Sequence, residues 1–110
     1  MLHKTIVGAG VIEKAKFVAV HFKQNKPVPD KSTFRKLFLQ TEIIAGMMRT
    51  NEDFFGESRF FSLSFDRFDL YFFLLSRFAQ NGVLVVQIVQ PYNHEEIVSK
   101  ITKYLNQAAT

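Results

Sequence analysis

The sequence predicts a single α+β domain in which a five-stranded antiparallel sheet carries a long helix on one face. Three observations predict this fold class. The chain has 110 residues, close to the common size of one domain. Five segments have the length and composition of strands, and two others have the apolar period of amphipathic helices. Their order along residues 1–110 is β-β-α-β-β-β-α, and we expect the last helix to lie beside the long one.

The first two predicted strands lie before residue 30. His3–Ile12 is rich in β-branched residues around Gly8 and Gly10, and two glycines this close cost a helix about 2 kcal/mol relative to alanine. We therefore expect a strand or an irregular lead-in. Phe17–Phe22 alternates between two faces, as a strand does. Lys23–Asp30 contains two prolines and is predicted to be a loop.

A long helix follows, capped by Asp30 or Ser32. One apolar stripe has spacings of three and four residues: Phe34, Leu37, Phe38, Thr41, Ala45 and Met48. A second, partly separate stripe consists of Leu39, Ile43 and Met47. A helix that is apolar on more than one side usually packs against more than one neighbour. Gly46 allows another backbone to approach closely, and Asn51 and Gly56 are stop signals.

Three further strands form a predicted β-meander. Arg59–Phe65 alternates, with Phe61, Leu63 and Phe65 on one face. Phe68–Leu75 is nearly all apolar, which is typical of a central strand buried on both faces. Asn81-Gly82 then gives the strongest hairpin signal in the chain, and Val83–Val89 is the last strand.

The final predicted element is an amphipathic helix. Asn93 and Glu96, three residues apart, resemble a capping box at its start. Ile97, Ile101 and Leu105 form its apolar stripe.

Composition excludes several classes of protein. The chain has no cysteine, which excludes disulfides, thiolate catalysis and cysteine-based zinc sites. The lack of disulfides and of an apolar signal segment favours a cytoplasmic location. No apolar run is long enough to insert across a membrane. Thirteen phenylalanines exceed what one small core needs, so we expect some of them in an interface or a ligand pocket.

Positive charge is concentrated in the first part of the chain. Residues 1–40 carry eight Lys or Arg and two Asp or Glu, a local charge of +6, whereas the other seventy residues sum to −2. Such asymmetry is typical of proteins that bind an acidic partner, nucleic acid or anionic lipid. A solvated lysine-rich surface gives the same composition.

No arrangement of residues predicts catalysis, a metal or a cofactor. The three histidines (His3, His21 and His94) include no pair at the spacing of metal ligands. His94 lies beside two glutamates, which could suggest acid–base chemistry, but an exposed residue in the first turn of a helix is the favoured interpretation. Gly8-Ala9-Gly10 lacks the third glycine and the following helix of a phosphate-binding loop. We therefore predict that the protein is not an enzyme.

Binding of nucleic acid is a less favoured interpretation. The chain is basic, and Arg59-Phe60-Phe61 resembles the strand aromatics that stack on RNA bases. However, RNA-recognition modules have the order βαββαβ and a Lys/Arg-Gly-Phe strand signature, which this sequence lacks.

The element order from Ser32 to Leu105 resembles the roadblock/dynein light-chain family, especially its MglB-like members. The resemblance is carried by Phe54-Phe55-Gly56-Glu57-Ser58-Arg59-Phe60, because MglB-like sequences end their long helix in a bulky residue followed by Gly-Glu-small-Arg-Phe. The longin domain has the same element order and is an alternative. Roadblock domains usually open with a helix, and the residues ahead of Lys14 are too few and too rich in glycine and valine to form it.

This resemblance implies a homodimer that serves as a platform for a small Ras-like GTPase. MglB-like proteins pair their long helices and extend a sheet edge across the twofold axis. Carried onto this chain, the implied interface residues are Ile43, Ala45, Gly46, Met47 and Met48 of the helix and, in the edge strand Arg59–Phe65, Arg59, Phe60, Phe61, Ser62 and Leu63. Each of these residues is equally suited to a place in the protomer's own core.

A small-molecule or signal-sensing domain of profilin/PAS-like shape is the second interpretation. Its phenylalanines would then line a ligand pocket. A ligand that stabilises the protein against heat would distinguish a sensor from a scaffold. A steep loss of affinity with salt would instead identify a nucleic-acid-binding protein.

Overall fold

The apolar segments of the sequence form one five-stranded antiparallel sheet, as predicted. The structure is a computed structural model that describes residues 5–14, 16–24, 28–78 and 82–108. The elements are β1 (Ile6–Glu13), β2 (Lys16–Phe22), α1 (Lys31–Thr50), α2 (Glu52–Phe55), β3 (Phe60–Ser64), β4 (Phe68–Leu74), β5 (Val83–Val89) and α3 (His94–Ala108). A 3-10 turn follows β4 at Leu75–Phe78. His3 and Asn81 lie outside the described residues.

The strands are arranged in the order β2-β1-β5-β4-β3, so β2 and β3 are the two edges. The first segment of the chain, predicted to be either a strand or an irregular lead-in, is the strand β1. Its two glycines make room for aromatic rings from β2. A Cβ on Gly8 would lie 2.7 Å from Cδ1 of Phe22, and one on Gly10 would lie 2.6 Å from Cε1 of Phe17. Side chains at these positions would displace both rings.

Helix caps follow the predicted signals. Asp30 caps α1, and its side chain accepts a hydrogen bond from the Thr33 backbone N–H at 2.8 Å. This bond lowers the pKa of the Asp30 carboxyl below its ordinary value. At α3, Oδ1 of Asn93 accepts from the Glu96 N–H at 2.9 Å. The interpretation of Asn93 as a cap is confirmed.

The two faces of the sheet carry separate cores. On one face, the buried residues of β4 and β5 pack against α3; this cluster is Ile6, Tyr71, Phe73, Leu75, Val86, Ile88, Ile97, Ile101 and Leu105. On the other face, Ile12, Phe72, Val83 and Val85 pack with Leu37 and Phe38 of α1. Neighbouring residues of β4 belong to different clusters, as expected of a strand buried on both sides.

The expectation that α3 lies beside α1 is wrong, because α3 covers the opposite face. The physical reason is the composition of the central strands. Phe68–Leu74 and Val83–Val89 present large apolar side chains to both faces. A single layer of helices would leave one of those faces in water.

Candidate functional site

The outer face of α1 carries a row of exposed apolar side chains. Leu39 is 62% exposed, Ile43 54% and Met47 62%, and they follow one another at four-residue intervals. We call these three residues the α1 ridge. They correspond to the second apolar stripe of the sequence, and their exposure leaves a continuous apolar surface on the protomer.

The sheet-facing side of the same helix explains why the ridge points outward. Thr41 and Ala45 are 1% and 2% exposed, and the Thr41 hydroxyl donates to the Leu37 carbonyl at 2.6 Å. Phe34 and Phe38 both contact Phe17 of β2, with ring centroids 5.2 and 5.1 Å apart. Because this side is anchored to the sheet, the stripe opposite to it faces away from the protomer.

The helix residues predicted for pairing therefore fall into two groups. Ile43 and Met47 belong to the ridge, and a Cβ on Gly46 would meet no atom within 4 Å. The structure corrects the prediction for Ala45, because its side chain is buried against the sheet and is not available to a second helix. Met48 is half-buried on the same side. Both residues belong to the first apolar stripe, which faces the sheet, whereas the resemblance implied a place for them in the helix pair.

The predicted edge strand β3 does lie at an edge of the sheet. Its pairing with β4 runs from Phe60↔Phe73 to Ser64↔Asp69 without a register shift. Phe61 packs towards the α1 side and Phe60 towards the α3 side, as the alternation predicted. Arg59, which precedes the strand, and Ser62 within it are exposed, and Leu63 is half-buried.

Two solvent-exposed phenylalanines follow α1. Phe54 is 86% exposed and Phe55 78%, and their rings form an edge-to-face pair with centroids 4.9 Å apart. The loop after them is fixed by Gly56 at φ 92° and by Glu52, whose Oε2 accepts from the Ser58 N–H at 2.7 Å. That bond holds the pKa of the Glu52 carboxyl below its ordinary value. Neither phenylalanine is among the interface residues that the resemblance implies, although two adjacent phenylalanines beside a glycine are a sequence signal for an exposed apolar site.

A polar network lies under the start of α3. Its central member is Tyr71, which is 2% exposed and whose hydroxyl contacts Nδ1 of His94 and lies 3.0 Å from the Tyr92 hydroxyl. Tyr92 in turn donates to the carboxylate of Asp69. His94 is exposed in the first turn of α3, as the favoured interpretation of the sequence predicted, and its ring is tied to a buried tyrosine. It also lines an open groove of about 810 Å³ between α3 and the start of β3.

Asp69 is the charged end of this network. Burial opposes its ionisation, but hydrogen bonds from Tyr92, Ser64 and Gln90 outweigh burial and hold the pKa of the Asp69 carboxyl below its ordinary value. The Ser64 hydroxyl and the Gln90 amide donate to Oδ1 at 2.7 and 2.8 Å. Burial and the same bond to Asp69 raise the pKa of Tyr92. These contacts join β4 to the segment ahead of α3.

The lowered pKa of Asp69 predicts a loss of stability in acid. A carboxyl whose pKa is lower in the folded state stabilises the fold above its unfolded pKa, and that contribution disappears as pH falls through the folded value. We expect Asp69→Asn to be less stable than the wild type near pH 7, with the difference shrinking as pH falls below the ordinary aspartate pKa of 3.8. Urea denaturation across this range measures it. Asp66→Asn, in the exposed turn beside it, is the control and should change the free energy of unfolding by less than about 0.5 kcal/mol at any pH.

In the described part of the chain, no helix has the length and hydropathy needed to cross a membrane.

Comparison with known proteins identifies the fold through structure and not through sequence. No protein-family model matches the chain, and no curated protein is significantly similar to it. A Roadblock/LC7 domain from Streptomyces avermitilis superposes with a TM-score of 0.67 at 11% identity, covering 94% of this chain and 82% of that one. An MglB in a tetrameric arrangement gives a TM-score of 0.69 at 14% identity, with 96% and 80% covered. The gliding protein MglB from Thermus thermophilus gives a TM-score of 0.60 at 14% identity, with 94% and 77% covered.

The chain therefore has an α+β fold of the roadblock type. More particularly, it is similar to MglB over most of its length. The resemblance predicted from the sequence is confirmed at the level of the fold.

Proposed function

We propose that this chain is a cytoplasmic, non-catalytic, homodimeric scaffold that binds and regulates a small Ras-like GTPase. The α1 ridge is the observation that carries the proposal. It exposes three large apolar side chains in one row on the face of α1 that the sheet leaves uncovered. Such a surface on a small domain marks a site of protein association.

A second copy of the same chain is the partner that suits the ridge. In a twofold interface the same patch meets itself, so a helix that packs against its own copy needs only one apolar face. Gly46 lies next to the ridge and leaves space for a close approach of two helices. The tetrameric arrangement of one structural neighbour supports self-association.

The unpaired edge of β3 supplies a second element of the proposed dimer. Leu74 donates its N–H to the Arg59 carbonyl at 3.1 Å. Because hydrogen-bonded pairs alternate along an antiparallel ladder, the backbone groups of Phe60, Ser62 and Ser64 point to the open edge. The strand itself carries no charged residue. It is therefore suited to pair with its own copy and to extend the sheet.

The GTPase part of the proposal rests on the similarity to MglB, a GTPase-associated protein. Roadblock and MglB-like folds are generally regulatory and non-enzymatic. A dimer with a continuous sheet and paired helices presents a broad surface of the kind that a protein partner needs.

A ligand-sensing function has less support from the packing of the phenylalanines. The apolar pocket lined by Phe17, Phe22 and Phe34 measures about 30 Å³. Pockets for small molecules usually span roughly 300–1,000 Å³. The groove of about 810 Å³ beside α3 is large enough, but it is open, and among the described residues Phe60 is the one phenylalanine that lines it. Most of the described phenylalanine rings pack on one another.

An affinity pull-down from a lysate of the source cell tests the proposal. It is run with GDP and with a non-hydrolysable GTP analogue, and with wild-type chain and Ile43→Glu as baits. We expect a small GTPase to be enriched by the wild type in one nucleotide state and lost with the variant. If no GTPase is captured in either state, the likeness to MglB concerns the fold alone, and screening for ligands by thermal shift becomes the next step.

A further inference from the structure

The two edges of the sheet differ in charge and in regularity. The β3 edge is regular and uncharged. The β2 edge begins with Lys16 and has a register shift opposite Val11 and Ile12. A bulge and a lysine are features by which an edge strand avoids pairing with its own copy. The β2 edge is thus built against self-association, whereas the β3 edge is not.

Beyond the bulge, β2 keeps a regular stretch with open backbone groups. Ala19–Phe22 pairs residue by residue with β1. The Lys23 N–H donates to the Val7 carbonyl at 2.8 Å. Since hydrogen-bonded pairs alternate along the ladder, the N–H and C=O groups of Val20 and Phe22 point away from β1. An extended chain added at this edge would therefore find donors and acceptors at two consecutive outward positions.

Side chains along this edge offer apolar contacts as well. Val20 is 50% exposed and Val18 53%. Val20 also borders the small apolar pocket between β2 and the start of α1, together with Pro29 and Phe34. Alternate side chains of an added strand would lie over this region, so apolar residues at every second position are favoured.

Charge identifies the chemistry of the occupant. Lys14 and Lys16 are exposed at one end of β2, and Lys31, Arg35 and Lys36 are exposed on the first turns of α1, whose Phe34 contacts β2. Two copies of this edge would bring like charges together, which is unfavourable. A chain rich in Asp and Glu is complementary to it and is also attracted from a distance.

The strand's aromatic residues argue for a protein partner over a nucleic acid. Single-stranded nucleic acids bind by stacking bases on exposed aromatic rings. Phe17 and Phe22 are half-buried: their rings lie over Gly10 and Gly8 and contact Phe34. Neither ring is free to accept a base, whereas the open backbone groups suit a peptide.

We propose that the β2 edge, at Ala19–Phe22, binds an acidic extended segment of a partner protein as a sixth strand of the sheet. This site lies at the edge opposite β3. It remains open when β3 is paired in a dimer, and it does not depend on the identity of the regulated partner.

The test is an NMR titration of the full chain labelled with ¹⁵N. One titrant is an acidic peptide of alternating Glu and Val, and the other is a matching basic peptide of alternating Lys and Val. We expect the acidic peptide to shift the amides of Val20 and Phe22 and to slow their exchange with solvent. Its affinity should fall about tenfold or more as salt is raised from low to several hundred millimolar. The basic peptide should not bind.

Proline substitutions provide a matched pair of variants. Val20→Pro removes an outward N–H at the β2 edge, where proline is tolerated because that N–H makes no bond in the sheet. Ser62→Pro does the same at the β3 edge. We expect the first to weaken binding of the acidic peptide at least about tenfold and the second to leave it unchanged. Lys16→Glu keeps the backbone intact and should weaken binding of the acidic peptide by a similar factor. It replaces Val20→Pro as the test variant if the proline variant does not fold.

Three results would overturn the proposal. The first is the absence of amide shifts at Val20 and Phe22 with the acidic peptide. The second is binding that survives Val20→Pro and Lys16→Glu but is lost with Ser62→Pro. The third is displacement of the peptide by an oligothymidylate that binds more tightly to the same amides, which would assign the basic edge to nucleic acid.

Discussion

Replacing Ile43 by glutamate is expected to convert the proposed dimer to a monomer, lowering the association constant at least about a hundredfold. The residue is 54% exposed in the protomer and stands in the middle of the α1 ridge. In a twofold interface each substitution acts twice, and a carboxylate placed at an apolar contact loses its hydration without a partner. Light scattering after size-exclusion chromatography should report about 12.7 kDa for the variant and about twice this mass for the wild type.

Lys103→Gln is the matched control for this variant. It changes the net charge by the same amount but lies exposed on α3, which covers the other face of the sheet. It should leave the dimer intact.

Gly46→Leu should weaken the dimer without unfolding the protomer, because a side chain at Gly46 meets no atom of its own chain within 4 Å. If the Ile43→Glu variant remains dimeric, the α1 ridge is not part of the dimer interface.

Truncating Phe72 to alanine is expected to reduce the free energy of unfolding by about 3–5 kcal/mol. Phe72 is 1% exposed at the centre of β4, and its ring stacks on Phe61 with centroids 4.5 Å apart and planes 6° from parallel. Its removal takes away a large apolar burial and leaves a cavity between the sheet and α1. Urea denaturation at one protein concentration measures the change.

Phe54→Ala is the control for this second prediction, because it makes the same chemical change at a position that is 86% exposed. It should alter the free energy of unfolding by less than about 0.5 kcal/mol. Equal losses for the two variants would contradict the placement of Phe72 in the core. A small loss for Phe72→Ala alone would mean that the sheet and α1 are not packed as described.

The central and terminal elements were predictable because their signals are local. β5 (Val83–Val89) has the predicted bounds, since a short apolar run lies there between an Asn-Gly turn signal and a proline. The stripe of α3 is buried as predicted, with Ile97, Ile101 and Leu105 all at or below 4% exposure. Capping by Asp30 was predictable for the same reason, because Asp is one of the few residue types preferred at the start of a helix.

Other features depend on contacts between distant segments, which local patterns do not contain. The face that α3 covers is decided by the two-sided burial of β4 and β5. The contacts of Asp69 and Tyr71 with Tyr92 and His94 link residues more than twenty positions apart. Ala45 was assigned to the pairing surface by the resemblance, although its spacing placed it in the other stripe, and the contacts of α1 with the sheet decide that this stripe is the buried one.

The most direct test of the proposed dimer is an isotope-filtered NOE experiment on a mixture of methyl-labelled and unlabelled protomers. Contacts that cross between protomers are then observed separately from those within one chain. We expect cross-protomer NOEs from the Ile43 and Met47 methyl groups of the α1 ridge. A sample of dimeric mass that shows no such NOEs, or shows them only from Val18 and Val20 of β2, would contradict the proposed interface.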